Sequence, residues 1–182
     1  MHRVVISLGS NIDKERNLPT AVRLLAASPG VSLLAVSPVY ETASVGAGDA
    51  PSFFNAAVLL LTTQTAAELK DGLLSDVERT LGRVRTADKN APRTIDLDIA
   101  LYDDNAFDYT PADGRPRHVP DPDLRRFLHC LQPVADLLPD MPHPETGEAL
   151  GRLAERLQSD AETSAPTLWP RPDVDARLEE PR

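Results

Sequence analysis

The sequence predicts an α+β fold of the ferredoxin-like kind, a mostly antiparallel sheet with helices packed on it. Two observations carry this. Segments of strand and helix character follow one another in the order β-α-β-β-α-β, each helix lying between strands. The run Thr94-Ile95-Asp96-Leu97-Asp98-Ile99-Ala100-Leu101 alternates apolar and acidic residues, the period-two pattern of a strand with one apolar and one polar face.

Each element has its own warrant. Arg3 to Leu8 reads as a buried strand ending in the turn cluster Gly9-Ser10-Asn11. A helix follows, with Leu18, Val22 and Leu25 on one face; either Asp13 caps it, with Pro19 inside, or Asn17 caps it and Pro19 falls in the tolerated first turn. Pro29-Gly30 ends this helix. Val31 to Tyr40 reads as a second strand, with Pro38 marking an edge or bulge near its end. Residues 41–52 read as a long loop and Phe53 to Thr63 as a third strand. The clearest helix spans Thr65 to Leu81, where Leu69, Leu73, Val77 and Leu81 repeat at i+4 and Gly82 stops the chain. A polar loop over 83–93 leads into the acidic strand, in which Ile95, Leu97, Ile99 and Leu101 are expected to face inward. Residues 103–118 show no periodicity. Pro120-Asp121-Pro122-Asp123 opens a short helix or turn through Leu128, and a last helix is expected over Ala149–Leu157. One domain is expected over residues 1–158, and the Pro-rich, charged stretch 159–182 reads as a tail.

Bulk properties narrow the function. A chain of 182 residues suffices for one domain with a substantial core. A formal charge of −9 argues against a sequence-independent nucleic-acid binder, which needs a basic surface. The single Cys130 allows no internal disulfide and no zinc cluster. There is no run of about 18 apolar residues, so no membrane span is expected. Met1-His2-Arg3 runs directly into the first strand, so no signal peptide and a cytoplasmic location are expected.

Chemistry concentrates around the acidic strand. Asp96 and Asp98 fall on one strand face, ~6.5–7 Å apart along the backbone. Aspartate is depleted in strands and like charges repel, so the pair is either a solvated face matched by arginine or a divalent-cation site. Arg83, Arg85 and Arg93 lie just upstream, and guanidinium groups grip phosphate oxygens bidentately. They either neutralise the aspartates or bind a nucleoside triphosphate; no Walker A loop is present. Asn55 sits at an unfavourable strand position in Phe53-Phe54-Asn55-Ala56-Ala57. Its amide either satisfies a neighbouring backbone group or reads the edge of a flat heterocycle, on which Phe53 could stack. His2, His129 and His143 read as structural or surface residues.

Taken together, these segments resemble the 6-hydroxymethyl-7,8-dihydropterin pyrophosphokinases of folate synthesis. The matching motifs are Ser7-Leu8-Gly9-Ser10-Asn11, Ser37-Pro38-Val39-Tyr40-Glu41-Thr42, Phe53 through Val58, Glu78 with Gly82-Arg83-Val84-Arg85, and Pro92 through Asp98. The resemblance implies Mg²⁺-dependent transfer of the β,γ-diphosphate of ATP to the pterin hydroxymethyl group, leaving AMP. It implies that Asp96 and Asp98 hold two Mg²⁺ ions. It assigns Thr42, Ala43, Val45, Phe53, Asn55 and Phe127 to the pterin, with Phe53 and Phe127 as its two aromatic faces. Arg83, Arg85, Arg93 and Arg125 are assigned to ATP phosphates, with Arg126 an alternative to Arg125, and Glu78 and Ile99 to the adenine side. Arg83, Arg93, Asp96 and Asp98 form the expected catalytic set. A monomer is expected, with no nucleic-acid or membrane partner.

The chain departs from the family pattern in three places. Asn90 stands where a loop tryptophan is common. Pro120-Asp121 replaces a Pro-His pair whose histidine contacts phosphate, with His118 a nearby substitute. The segment from Asp121 to Phe127 is about two residues short. These departures keep two rivals open: a pterin- or nucleotide-binding module without turnover, and a metal-dependent phosphohydrolase.

Overall fold

Val4, Ile6 and Leu8 alternate with Val5, Ser7 and Gly9 along β1 (His2–Ser10), so this central strand presents apolar side chains to both sides of the sheet over its first half only. The structure, a computed structural model, describes residues 1–43, 51–84, 91–161 and 168–178. Beside β1 lie β4 (Phe53–Thr62) and β5 (Asp96–Tyr102). The six-stranded sheet has the order β5-β1-β4-β3-β8, where β3 is Tyr40–Thr42 and β8 is Leu168–Pro170, with β2 (Val31–Val36) also paired to β4. Every pairing is antiparallel. The expected strand Val31–Tyr40 is thus divided at Pro38 into β2 and β3 (Tyr40–Thr42), because proline cannot donate to the ladder. Ser37 spans the break: its backbone N–H donates to Ala57 O at 2.9 Å and its hydroxyl accepts from Ala57 N at 2.8 Å.

Helices cover both faces. On one, Val4, Ile6, Leu8, Phe54, Val58 and Leu97 pack against Leu18, Val22 and Leu25 of α1 (Lys14–Ala27) and against the second helical segment. On the other, Val5, Ala57 and Leu101 pack against α4 (Leu128–Leu137) and α5 (Leu150–Ala161). α1 starts after Asp13, so Pro19 lies inside the helix and Asn17 instead donates back to Ile12 O at 2.7 Å.

The second helical segment is three pieces in one rod: α2 (Ala66–Leu69), a π-helical turn (Lys70–Leu74) and α3 (Ser75–Thr80). Thr65 and Glu68 form a capping box at its start, and Gly82 adopts φ 71° at its end, a conformation that costs glycine little. The π turn inserts one residue into the helical period. Leu74 is therefore the fully buried residue beside Leu69 and Val77, with the expected Leu73 partly buried against the same core, and Lys70 is buried as well.

β5 also carries an extra residue. Val5 pairs with Leu101 but Ile6 pairs with Ile99, so Ala100 bulges. A bulge reverses the in-out phase. Ile95, Leu97 and Ile99 share the α1 side as expected, while Leu101 joins the α4 side and Tyr102 takes its place.

Other segments also differ from expectation. Residues 103–118, read as aperiodic, contain the hairpin β6 (Phe107–Tyr109) with β7 (Arg117–Val119), whose strands are too short to show a period. The short helix or turn expected from Pro120 through Leu128 is the 3₁₀ turn Pro122–Arg125, and α4 follows it for ten unexpected residues, through Pro133. The reading of 159–182 as a tail does not hold for residues 168–178: β8 (Leu168–Pro170) pairs with β3, and α6 (Pro172–Leu178) follows with Val174 fully buried. Among the described residues, no helix is long and apolar enough to cross a membrane.

Candidate active site

The α4 and α5 helices cover only part of their sheet face. The remainder, where β1, β4 and β5 present Ser7, Gly9, Phe53, Asn55, Asp96 and Asp98, is the floor of a cleft of ≈ 280 Å³. A side chain at Gly9 would meet no atom within 4 Å, so the glycine leaves this floor open rather than relieving a clash.

β5 ends the sheet, so alternate backbone groups on its outer side need partners other than a strand. At Leu97, between the two aspartates, side chains supply them. Leu97 N–H donates to Glu78 Oε1 at 2.9 Å, and Leu97 C=O accepts from Lys70 Nζ. Lys70 also donates to Asp98 Oδ1 at 2.8 Å. The acidic strand is thereby held on both edges, by β1 and by a buried Lys-Glu pair.

Two arginines of the expected catalytic set converge on the other aspartate. Arg93 Nη1 donates to Asp96 Oδ2 at 2.5 Å, and Arg83 Nη2 to Asp96 Oδ1 at 3.4 Å. Arg93 is itself fixed from β1. Its backbone N–H donates to Asn11 Oδ1 at 2.7 Å, its C=O accepts from Asn11 N at 3.1 Å, and Ser10 Oγ donates to Thr94 O at 2.6 Å. Ser10 and Asn11 are buried. Their role escapes local reading, which sees only a turn, because their partners lie more than 80 residues away.

On the β4 side, Asn55 Nδ2 donates to Thr42 Oγ1 at 3.0 Å, a cross-strand contact that orients the amide. Thr42, Ala43, Phe53 and Asn55 all line the cleft, and the Arg93 guanidinium lies 5.7 Å from the Phe53 ring centroid. Behind Thr42, Glu41 accepts from Lys14 at 2.6 Å, Ser52 at 2.5 Å and Arg171 at 2.5 Å. Burial disfavours the Glu41 charge, but these hydrogen bonds outweigh it and bring the carboxyl down to about 2.

The facing wall differs most from expectation. Asp121, Asp123, His129 and Cys130 line it. His129, expected to be structural or surface, borders the cleft, because α4 begins at Leu128 and carries it there. Burial lowers the His129 pKa, so the ring is neutral at physiological pH, and burial raises that of Cys130, so its thiol stays protonated. Burial, with the nearby charges of Asp98, Asp123 and Asp96, pushes Asp121 up to about 6. Phe127 does not line the cleft; it is 39% exposed and stacks on His129 at 5.5 Å between centroids. Arg125 does not line the cleft and pairs with Glu145 at 3.6 Å, and Arg126 pairs with Asp123 at 3.5 Å. Glu78 and Ile99, expected beside the adenine, are each 3% exposed: Glu78 is committed to Leu97, and Ile99 belongs to the core. Val45, Arg85 and Asn90 lie outside the described residues.

The donor set suits a hard cation. Asp96 and Asp98 offer carboxylate oxygens on one strand face, and among the described residues no group of three or more metal-ligating side chains comes together. Two carboxylates with the other positions left to phosphate and water is the usual way Mg²⁺ is bound with a nucleotide. The buried Arg83 Nε, without a hydrogen-bond partner among the described residues, adds an unsatisfied donor beside them.

Comparison with known proteins gives the family. Residues 5–139 match the family model of 7,8-dihydro-6-hydroxymethylpterin-pyrophosphokinase. The chain belongs to that family. It is 35% identical over 147 residues to the 2-amino-4-hydroxy-6-hydroxymethyldihydropteridine pyrophosphokinase of Pseudomonas aeruginosa, covering 80% of this chain and 86% of that one. It is 38% identical over 142 residues to the Methylorubrum extorquens protein of the same name, covering 78% and 85%. It is 35% identical over 155 residues to the folic acid synthesis protein fol1 of Schizosaccharomyces pombe, covering 85% of this chain but spanning only 20% of that much longer protein. Among solved structures, a Plasmodium falciparum HPPK-DHPS with pteroate superposes with a TM-score of 0.69 at 12% identity, over 90% of this chain and 43% of that one, which establishes the shared fold. The matching motifs of β1, β4 and β5 contribute the floor of the cleft, and Arg93 and Thr42 also line it.

Proposed function

We propose that this member of the pyrophosphokinase family transfers the diphosphate of ATP to the hydroxymethyl group of 6-hydroxymethyl-7,8-dihydropterin, releasing AMP, as a cytoplasmic enzyme. One observation supports the reading: a single open sheet face presents the Asn55 amide and the Phe53 ring on β4 and the Asp96 and Asp98 carboxylates on β5, with Arg93 reaching both Phe53 and Asp96.

Each group has a task. Asn55, oriented by Thr42, meets the polar edge of the pterin, and Phe53 lies against one face of its ring. His129, backed by Phe127, forms the opposing wall. Asp96 and Asp98 would hold two Mg²⁺ ions, which when bound would supply charge neutralisation and Lewis-acid polarisation to the phosphate oxygens. Arg83 and Arg93 exchange their bonds to Asp96 for phosphate oxygens when ATP arrives, with Arg85 a third donor. The arrangement works by alignment and charge, which supply most of the rate in phosphoryl transfer. No side chain need become covalently attached.

Product analysis tests this. Protein, ATP, Mg²⁺ and the pterin are expected to give AMP and pterin diphosphate in equal amounts, with neither formed when the pterin is omitted. ADP as the nucleotide product, or phosphate release without pterin, would contradict it. Asp96→Asn and Asp98→Asn are each expected to lower kcat by roughly 10³-fold, with the thermal midpoint kept within a few degrees.

A further inference from the structure

Each aspartate of the proposed metal pair already has a cation of the protein's own. Arg93 and Arg83 hold Asp96 from the cleft side, and long, partly exposed arginines can swing away to phosphate. Asp98 is held differently. Its partner, Lys70, is 2% exposed and rises from the helix on the opposite side of the sheet. The neighbours of Lys70 on that helix face, Leu69, Leu74 and Val77, are all core residues. Position 70 lies four residues after the buried Ala66, on the same helix face, and it begins the π turn; such turns recur at functional sites. From there the ammonium passes around the strand edge to Leu97 O and Asp98 Oδ1, with Glu78 Oε1 3.7 Å away. The Asp98 side chain remains 44% exposed, so Lys70 grips it from behind and leaves part of it on the cleft side.

A purely structural plug for the strand edge would need only the bonds to Leu97. The extra bond places a unit positive charge within 3 Å of a carboxylate that is to bind a divalent cation, and Lys70 cannot leave without breaking the edge of β5. We propose that Lys70 is a resident cation of the metal site: it occupies Asp98 in the metal-free protein and opposes the binding of a bare divalent ion there. The metal then binds well only when the triphosphate contributes its own negative oxygens. This rests on the assignment of Asp96 and Asp98 as metal ligands.

Mn²⁺ binding to the full chain, followed by the electron paramagnetic resonance of the free ion and without nucleotide, tests it. Lys70→Met is expected to bind Mn²⁺ at least about tenfold more tightly than the unaltered protein, since a like charge beside the site has been removed. Lys70→Gln keeps a donor for Leu97 O and is expected to give the same direction, so the test survives if the methionine variant does not fold; near-ultraviolet circular dichroism checks both. A merely structural lysine would leave Mn²⁺ affinity unchanged or weaken it, and either result in a folded variant overturns the proposal. Asp98→Asn separates the two levels. If Mn²⁺-ATP binding survives Asp98→Asn undiminished, the metal assignment fails and the proposal with it. If that binding is lost while the Lys70 variants bind bare Mn²⁺ like the parent, only the resident-cation role fails.

Discussion

At Asn55 a strand-disfavoured residue is held by Thr42 and faces an open cleft, and both facts bear on its function. Asn55→Ala removes an amide that the pterin edge would otherwise engage, leaving substrate polar groups unpaired. The KM for pterin is expected to rise roughly 10–100-fold with little change in that for ATP, as measured by initial-rate kinetics. Asp121 makes a pH prediction. Its folded pKa of about 6 lies above that of an unfolded-chain aspartate, so the stabilisation from the protonated form is complete below about pH 4 and disappears as pH rises through 6. Asp121→Asn keeps the cap to Asp123 N and removes the charge. It is expected to raise stability at pH 8 by on the order of 2 kcal/mol, or roughly 5 °C in Tm, and to leave it unchanged at pH 4. Denaturant titration at the two pH values measures this; equal gains at both would contradict the burial of a charged Asp121. Residues like these were legible unevenly. Asp96, Asp98 and Asn55 break strand propensity and so announce themselves. His129, Ser10 and Asn11 obey local rules, and only their distant partners give them a role.

At the scale of elements, the strand-helix order and the helix stripe carried most of the fold, while two one-residue insertions did not show. The bulge at Ala100 and the π turn at Lys70–Leu74 each shift a periodic pattern by one position. Apolar residues on both sides of the shift hide it, since Leu101 and Tyr102, or Leu73 and Leu74, serve either phase. The C-terminal elements escaped for another reason: β8 is three residues long and contains Pro170, so nothing local marks it as a strand. Its consequence is specific. Arg171 N donates to Val39 O at 2.8 Å, Asp175 accepts from Val39 N at 2.6 Å, and Arg171 joins Lys14 on Glu41 and over the Phe54 ring. These contacts brace β3, which carries Thr42. A chain ending at Ala161 is expected to lose roughly 5–10 °C of Tm and to show about a tenfold higher KM for pterin, with the KM for ATP within about twofold. Equal effects on both substrates would contradict a brace confined to the pterin side. Because the folded Glu41 pKa is depressed to about 2, its contribution is present above about pH 4.5 and is lost as pH falls through 2. Glu41→Gln should therefore destabilise the protein at pH 7 and have little effect near pH 2.

Across the whole molecule, the antiparallel sheet separates two tasks. One face, with α1, the π-interrupted rod and α6, makes the larger core. The other is closed by α4 and α5 over its first half and left open over its second, where the motif residues gather. The residues of the cleft floor follow strand parity: Ser7, Gly9, Phe53, Asn55, Asp96 and Asp98 all alternate with core residues of the first face. Alternation and strand propensity therefore marked Asp96, Asp98 and Asn55 with Phe53, whereas Ser7 and Gly9 read locally only as strand and turn, and the facing wall, built from a short 3₁₀ turn and the start of α4, left no periodic trace. The central claim is that the acidic strand is the meeting line of two substrates, with the metals between them. Paramagnetic relaxation tests it most directly. In the complex of protein, Mn²⁺, a non-transferable ATP analogue and the pterin, the account expects strong relaxation of both the nucleotide phosphorus nuclei and the pterin methylene protons. It expects Asp98→Asn to abolish the effect on the pterin. Relaxed phosphorus with unaffected pterin protons would place the metals away from the acceptor and contradict the account.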